Sequence, residues 1–229
     1  MSIVPYRPGH RPPRRPPLDQ RSIVRTALAL LDEVGLDELT MRALADRLGV
    51  KAASLYRHVR NKDELLILLG DEISGGIALV PQVGTWQQQL AAIARNVRKG
   101  LLAHRDSARL LAATPPLGPR RLQLIEQVLR VLRAAGLSPR NAARTAHHLN
   151  NFLMEFVADE SRFEAFAAAS GSSRRKMIAD ARRQFRALPA DEYPTLVKLA
   201  DELTEDDPDG LFQFGIDAWL RAIAALART

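Results

Sequence analysis

Apolar residues recur at helical spacing along most of the chain. In residues 19–34 they keep a period of three to four, which predicts a helix that Gly35 ends. The same spacing predicts three longer helices over 85–104, 119–135 and 139–168. No stretch alternates between apolar and polar residues as a half-buried strand would. The predicted fold class is all-α.

Shorter segments complete this pattern. A helix is predicted from 62 to the pair Gly75–Gly76, and another over 106–113. The segment 174–186 is predicted as a loose basic helix. The sequence DDPDG at 206–210 is predicted as a turn before a last helix over 211–227.

The stretch 39–62 predicts two short helices joined by a tight turn. Thr40 is placed to cap the first helix, over 40–48, and Gly49 stops it where a left-handed residue costs little. The second helix, over 51–58, buries Leu55 and turns a polar, cationic face outward. A helix–turn–helix of this kind is typical of segments that enter a DNA major groove.

Charge is concentrated in the same stretch. Residues 39–62 contain six Lys or Arg and one Asp, a net charge of +5, whereas the whole chain carries +7. DNA carries about one negative charge per 1.7 Å of its axis, so a local basic patch is its expected complement. The alternative interpretation is a solvated helical hairpin within an all-α core.

The composition and the motifs that the sequence lacks exclude several classes of function. Among 229 residues there is no cysteine, so disulfides, thiolate zinc sites and cysteine nucleophiles are excluded. There is no Gly-rich phosphate loop, H-E-x-x-H or G-x-S-x-G motif, so we expect no enzyme activity, cofactor or metal site. No apolar run approaches a membrane span, and residues 1–17 lack a secretory apolar core. We therefore expect a cytoplasmic protein.

The N-terminal segment differs from the rest. Residues 5–17 contain six prolines and four arginines, which predicts a disordered arm over 1–17. Such an arm either contacts the DNA backbone or minor groove, or remains a solvated tail.

The sequence LTMRALADRLGVKAASLYRHVRNKDELL resembles the DNA-binding domain of the tetracycline-repressor (TetR) family of bacterial regulators. The opening L-T-x-R-x-L-A-x-x-L-G-V, the helix S-L-Y-x-H-V and the entry N-K-x-x-L-L are all present. LLAHRDSARLLAATPP, AAGLSPRNAA and DGLFQFGIDAWL extend the resemblance, which leaves 170–205 unexplained. It implies a three-helix DNA-binding domain over 18–65 and a helical effector-binding and dimerisation domain over 66–229.

The resemblance assigns eight residues to contacts with double-stranded DNA. They are Arg42, Lys51, Ala52, Ser54, Tyr56, Arg57, His58 and Lys62. Arg42 either reads a guanine edge or clamps a phosphate, and Ala52 is placed for a thymine methyl. Tyr56, His58 and Lys62 match backbone-contacting positions, although His58 could instead be structural. Lys51, Ala52 and Arg57 depart from the tetracycline repressors, so the operator is expected to differ.

The resemblance also implies a pocket for a small-molecule effector. Its expected residues are Ile93, Val97, Leu111, Thr114, Gln127, His147 and Asn151. Leu111 stands where the tetracycline repressors have a metal-binding histidine, and Ile93 and Val97 replace an asparagine and a phenylalanine. We therefore expect a more apolar effector than tetracycline–magnesium, anchored by the polar residues Gln127, Asn151 and His147.

Two further interpretations concern partners. His147, His148 and Glu155 suggest a metal, but adjacent helical residues point about 100° apart, which favours surface or interface histidines. Aromatic residues on the family's two dimerisation helices pack either in a homodimer interface or in the protomer core; they are Phe152, Phe156, Phe212, Phe214 and Trp219. The function predicted is a ligand-responsive dimeric repressor of a palindromic operator; an activator or an effector-independent DNA-binding protein is the alternative.

Overall fold

A computed structural model describes residues 18–227, and every regular element in that range is a helix. The helices are α1 Gln20–Val34, α2 Met41–Leu48, α3 Ala52–Leu55, α4 Lys62–Gly75, α5 Trp86–Leu102, α6 Ser107–Ala113, α7 Pro119–Ala134, α8 Pro139–Ala169, α9 Arg174–Arg186, α10 Pro194–Lys198, α11 Ala200–Leu203 and α12 Pro208–Leu226. The all-α prediction is confirmed. The predicted N-terminal arm, 1–17, lies outside the described residues.

The first two helices begin and end on specific caps. The Asp19 carboxylate accepts the Ser22 backbone N–H at 2.7 Å to start α1, and Gly35 ends it at φ +85°. The Thr40 hydroxyl accepts a first-turn N–H of α2, and Gly49 ends that helix in the left-handed region at φ +66°. Both glycine stops and the Thr40 cap agree with the sequence prediction.

An apolar core holds α1, α2, α3 and the start of α4 together. Its fully buried members are Ile23, Ala27, Leu31, Leu39, Leu44, Leu55 and Leu65. Burial of one Leu or Ile side chain contributes roughly 1.5–3 kcal/mol, so this small unit depends on a handful of residues. The second helix of the motif is shorter than predicted, because α3 covers Ala52–Leu55 and residues 56–58 form a turn.

Helix α4 connects this N-terminal unit to the rest of the protein. Asn61 caps it by accepting the Glu64 N–H at 2.8 Å, and two acidic residues in its first turn complement the helix dipole. Leu69 and Ile73 are buried, and α4 packs against α1, α6 and α7. One helix therefore contacts both parts of the chain.

The larger part of the chain is a bundle in which α8 packs against α5, α6, α7 and α12. Leu90, Leu101, Leu110 and Leu132 are fully buried there. At the end of α5, Leu101 faces this core, whereas Leu102 is 42% exposed.

The segment that the sequence left unexplained is helical, and α9 confirms the predicted basic helix. It buries no residue and is held by ionic contacts, including Arg186 to Asp201 at 2.5 Å. The predicted turn at 206–210 is wrong in its second half. Pro208 begins α12, and Asp207 caps it by accepting the Gly210 N–H at 2.9 Å.

A membrane-spanning helix needs about 20 consecutive, mostly apolar residues, a requirement that the helices of residues 18–227 do not meet.

Candidate DNA-binding face and ligand cavity

The turn between α2 and α3 fixes how α3 is presented. The Val50 N–H donates to Ala45 O at 3.0 Å and the Gly49 N–H to Asp46 O at 3.1 Å, which closes the end of α2. Leu55 of α3 and Val59, which follows that helix, are both at most 1% exposed and fix the inner side of this segment. The outer side of the segment is not covered by other residues of the range 18–227 and is accessible to a partner.

Two of the six cations counted in 39–62 are engaged within the protein. Arg47 forms an ion pair with Glu33 of α1. Arg60 Nε lies 3.2 Å from Glu64 Oε2, one helical turn further on. These two side chains are therefore partly neutralised by acids of the N-terminal unit.

Three others remain available. Arg42, Lys51 and Arg57 are exposed, and their side chains form neither a hydrogen bond nor an ion pair with any group of residues 18–227. Lys62 lies close enough to Asp37 to help lower the pKa of that carboxyl. The unpaired cations therefore sit on α2, at the start of α3 and just after it.

The remaining residues predicted to contact DNA surround α3. Tyr56 is 51% exposed, and Ala52, Ser54 and His58 are half-buried. The His58 carbonyl accepts from Gln20 Nε2 at 3.3 Å, which ties the end of this segment to the start of α1. All eight predicted residues thus lie on one contiguous part of the chain.

A cavity of about 690 Å³ lies between α4, α5, α6, α7 and α8. Most of its lining is apolar, and its size falls within the range of small-molecule sites. Six of the seven residues predicted for an effector pocket line it. They are Ile93, Val97, Leu111, Thr114, His147 and Asn151.

Gln127 was predicted as a polar anchor of this pocket, but the structure places it elsewhere. It lines a neighbouring open groove between α7 and residues 79–82. Its amide accepts the Val80 N–H at 3.3 Å and donates to Val80 O at 2.8 Å, and the residue is only 7% exposed. Its hydrogen-bonding capacity is therefore used to fix the 79–82 segment.

Sequence reasoning missed Arg121, which also lines the cavity. Its Nη1 donates to the Thr114 carbonyl and hydroxyl oxygens, both at 3.0 Å, and its Nη2 donates to Leu111 O at 2.5 Å. A signal did exist in the sequence. Arg121 is spaced by three and seven residues from Leu124 and Val128, which places a cation on the apolar face of a helix.

His147 and Asn151 form a pair on the α8 wall of the cavity, with Asn151 Nδ2 3.2 Å from His147 Nε2. The His148 ring meets the His147 ring edge-on, at 5.6 Å between centroids. The two imidazoles are therefore in edge-on contact, and of the two only His147 lines the cavity.

The predicted interface aromatics form a cluster within the protomer. Phe152 of α8 stacks on Phe212 of α12 at 6.3 Å between ring centroids, and Phe156 meets Phe212 edge-on at 5.1 Å. Trp219 lies 6.5 Å from Phe152. Phe212 is only 2% exposed, whereas Phe214 is 67% exposed. Phe212 therefore belongs to the protomer core, and Phe214 faces outward.

Comparison with known proteins matches both parts of the chain. Residues 23–69 match the model "Bacterial regulatory proteins, tetR family", and residues 80–226 match "Tetracyclin repressor-like, C-terminal domain". The chain belongs to the TetR family. TetR-family members are DNA-binding transcriptional regulators with a helix–turn–helix and a ligand-binding domain, which confirms the resemblance.

Three similar proteins illustrate the range of the family. The tetracycline repressor of class A from Escherichia coli transposon 1721 is 33% identical over 202 residues, 87% of each chain. The Streptomyces coelicolor TetR-family protein ActR, in complex with actinorhodin, has a TM-score of 0.82 at 35% identity and covers 91% of this chain and 96% of its own. BioQ with its natural double-stranded DNA operator has a TM-score of 0.67 at 26% identity, over 91% and 99%.

In this TetR-family chain, a polar seam joins the α1–α2 region to the α5–α6 region. The Asp32 carboxylate accepts the Arg105 N–H at 3.0 Å and lies 3.0 Å from His104 Nδ1. The Leu36 N–H donates to Asp106 Oδ2 at 2.8 Å. Asp106, whose carboxylate makes this contact, has a positive φ of 55°.

A second contact couples α4 to the cavity wall of this TetR-family protein. Asp71 Oδ1 accepts the N–H groups of Arg120 at 2.8 Å and Arg121 at 3.0 Å, which are otherwise unpaired donors at the start of α7. A Cβ on Gly118 would lie 2.2 Å from that oxygen, so only glycine leaves room for the cap. Helix α4 thus holds the helix that carries Arg121.

Proposed function

We propose that this protein is a ligand-responsive dimeric transcriptional repressor that binds a palindromic operator and is released by a small-molecule effector. One observation carries the proposal. Helix α4 starts beside the DNA-binding segment at Asn61, and its C-terminal residue Ser74 lines the cavity. A change at the cavity can therefore alter the position of the DNA-binding unit. We propose 18–65 as that unit and 66–229 as the effector and dimerisation domain.

DNA recognition rests on the three unpaired cations. Arg42 at the start of α2 donates twice to a guanine edge, while Lys51 and Arg57 flank α3 with Ala52 and Ser54 between them. The half-buried His58, the exposed Tyr56 and Lys62 hold the sugar-phosphate backbone. BioQ, a similar protein, has been crystallised with a double-stranded DNA operator, which supports this role.

The effector occupies the 690 Å³ cavity and is not tetracycline–magnesium. By the resemblance, Leu111 and Ile93 present hydrocarbon where that complex meets a metal-binding histidine and an asparagine. His147 and Asn151 supply polar contacts from α8. ActR, another similar protein, has been crystallised with actinorhodin, which supports a small-molecule effector in this fold.

Dimerisation involves α8 and α12. Along α12 the exposed residues Leu211 and Phe214, 64% and 67% exposed, begin a stripe that continues through Ala218 and Ala222. Two exposed large apolar side chains on one helix face favour burial against a second copy. The Phe152–Phe212 stack packs on the buried side of α12, beneath that face.

The test begins with DNA selection. Genomic fragments retained by the purified protein are sequenced, and the bound site is footprinted. We expect a palindrome whose half-sites lie one helical turn, about 34–36 Å, or a multiple of it apart. Binding that is blind to sequence would overturn the proposal.

A reporter then separates repression from its alternatives. The promoter beside the footprinted site is fused to a reporter and measured with and without the gene. Higher expression without the gene supports a repressor, and lower expression indicates an activator. A screen for compounds that release the footprinted fragment distinguishes a ligand-responsive protein from an effector-independent one.

A further inference from the structure

The guanidinium of Arg121 is a partly buried positive charge with no carboxylate partner among the described residues. Within residues 18–227 no carboxylate oxygen lies within 4 Å of its nitrogens; Asp71, the nearest acid along α4, is bound to the backbone of α7 instead. Burial alone lowers the pKa of Arg121, with no acidic partner to raise it again. A charge taken out of water in this way is normally paired.

Part of its hydrogen bonding is structural. Arg121 caps the C-terminal end of α6 through Leu111 O and the two oxygens of Thr114. The end of a helix carries only about half an elementary charge, so it offsets the guanidinium incompletely. Three of the five N–H donors are used in these contacts, which leaves two for a ligand.

The rest of the cavity contains no better partner for this charge. Glu155 is the acidic residue of the lining, but it is exposed at the α8 side and pairs with Arg162 at 2.6 Å. Ser74 Oγ is engaged with Gly70 O at 2.7 Å. The remaining wall near Arg121 is hydrocarbon, from side chains such as Leu124.

We propose that the effector is an apolar carboxylic acid whose carboxylate binds Arg121 while its hydrocarbon body fills the cavity. The inference deepens the proposed function and rests on it. Carboxylate and guanidinium form short, charge-assisted hydrogen bonds, and a fork of two N–H donors suits a planar acid. A neutral ligand of the same shape leaves the charge of Arg121 unpaired.

The position of Arg121 also explains how such an acid would be sensed. A Cβ on Gly70 of α4 would lie 3.6 Å from Arg121 Nη1 and 3.6 Å from the Thr114 hydroxyl, so α4 passes directly over this contact. A carboxylate on Arg121 therefore acts where α4, α6 and α7 meet, on the helix that leads to the DNA-binding unit.

The experiment compares an acid with its neutral analogue. Anthracene-2-carboxylate and anthracene-2-carboxamide are titrated by fluorescence into the full-length protein at pH 7.5, without DNA. The variants are Arg121→Gln, which keeps donors for the α6 carbonyls, and Arg121→Lys, which keeps the charge. Arg120→Gln is the matched control, since Arg120 lies next to Arg121, pairs with Glu72 and does not line the cavity.

We expect the wild type and Arg120→Gln to prefer the acid by about tenfold or more, as a charge-assisted contact of this kind would give. Arg121→Gln loses the preference, Arg121→Lys keeps part of it, and thermal unfolding checks that each variant is folded. If the acid does not bind, if acid and amide bind equally to the wild type, or if folded Arg121→Gln retains the preference, the proposal is overturned. Because no DNA is present, these outcomes are separate from a failure of operator binding, which would overturn the proposed function instead.

Discussion

Arg109 of α6 holds Asp37, in the loop before α2, through two parallel hydrogen bonds: Nη2 to Oδ1 at 2.9 Å and Nη1 to Oδ2 at 3.2 Å. This is the bidentate geometry that suits a guanidinium and a carboxylate. It joins the two parts of the chain near the first turn of α4, where Lys62 lies. The hydrogen bond from Arg109 is the main reason that the pKa of Asp37 lies below its ordinary value, and Lys62 also helps to lower it.

The contact between Asp37 and Arg109 should make the free energy of unfolding depend on pH. A carboxyl whose pKa is lowered by folding stabilises the protein above its unfolded value, about 3.8, and this contribution is lost as pH falls through the lower folded value. We expect Asp37→Asn to be slightly less stable than the wild type from pH 7 to pH 5. The difference should shrink below pH 3.8 in urea unfolding curves. A constant difference down to pH 2 would contradict the assignment.

Arg42→Ala should weaken binding to the footprinted operator by about 1–3 kcal/mol and relax the preference at one base pair, because it removes a double contact to guanine. The control is Arg47→Ala on the same helix, whose charge is already paired with Glu33 and which should change affinity little. Both are measured by fluorescence anisotropy on the operator and on single-base variants. An equal loss on every sequence would indicate that Arg42 holds only phosphate.

Gly118→Ala should destabilise the protein by about 1–3 kcal/mol, because the added methyl overlaps the Asp71 carboxyl and Cβ and disturbs the cap of α7. Gly76→Ala is the matched control, since its Cβ would meet Ile73 O at an ordinary 3.4 Å. Thermal unfolding by circular dichroism measures both. Equal behaviour of the two variants would contradict the packing described for Asp71.

Gln127→Met separates two roles for that residue. Methionine has a similar size but leaves the Val80 N–H and carbonyl without partners, so we expect a loss of about 1–3 kcal/mol in unfolding free energy. Because Gln127 does not line the cavity, affinity for anthracene-2-carboxylate should be unchanged. Lost affinity with unchanged stability would support the polar anchor that the sequence predicted.

Phe214→Glu should shift the protein from dimer to monomer, because it places a charge in the proposed α12 interface in place of its largest exposed apolar side chain. Leu117→Glu is the control: Leu117 is also 67% exposed but precedes α7, away from that face. Size-exclusion chromatography with light scattering gives the mass of each variant. A dimer that survives Phe214→Glu with unchanged affinity would place the interface elsewhere.

The helices were predictable because their signals are local. Caps such as Thr40 and stops such as Gly49 act within one turn, and apolar spacing marks the buried face directly. The wrong prediction at 206–210 arose because the same residue types are typical of both a turn and a helix start. Pro208 with Asp207 is typical of a turn, yet the same pair begins α12, and only the following apolar face decides.

The cavity was less predictable, because it depends on contacts between residues distant in sequence. Ile93, Val97 and Leu111 line one cavity, as the alignment with the family's pocket led us to expect, although their role toward an effector stays a prediction. Gln127 was not placed correctly, because its partner Val80 is 47 residues away and is a backbone group with no sequence signature. Arg121 carried a local signal in its spacing from Leu124 and Val128, but its lack of a carboxylate partner is apparent only when the neighbouring helices are in place.

The polar seam from Asp32 to Asp106 has a mechanical consequence. Its groups lie largely at the surface, where water can replace each hydrogen bond as it opens. Helix α4, by contrast, is held by buried leucines such as Leu65 and Leu69, whose apolar contacts water cannot replace. The seam can therefore exchange its hydrogen bonds with water while the contacts of α4 stay closed, and we expect the N-terminal unit to tilt about α4 without opening an apolar gap.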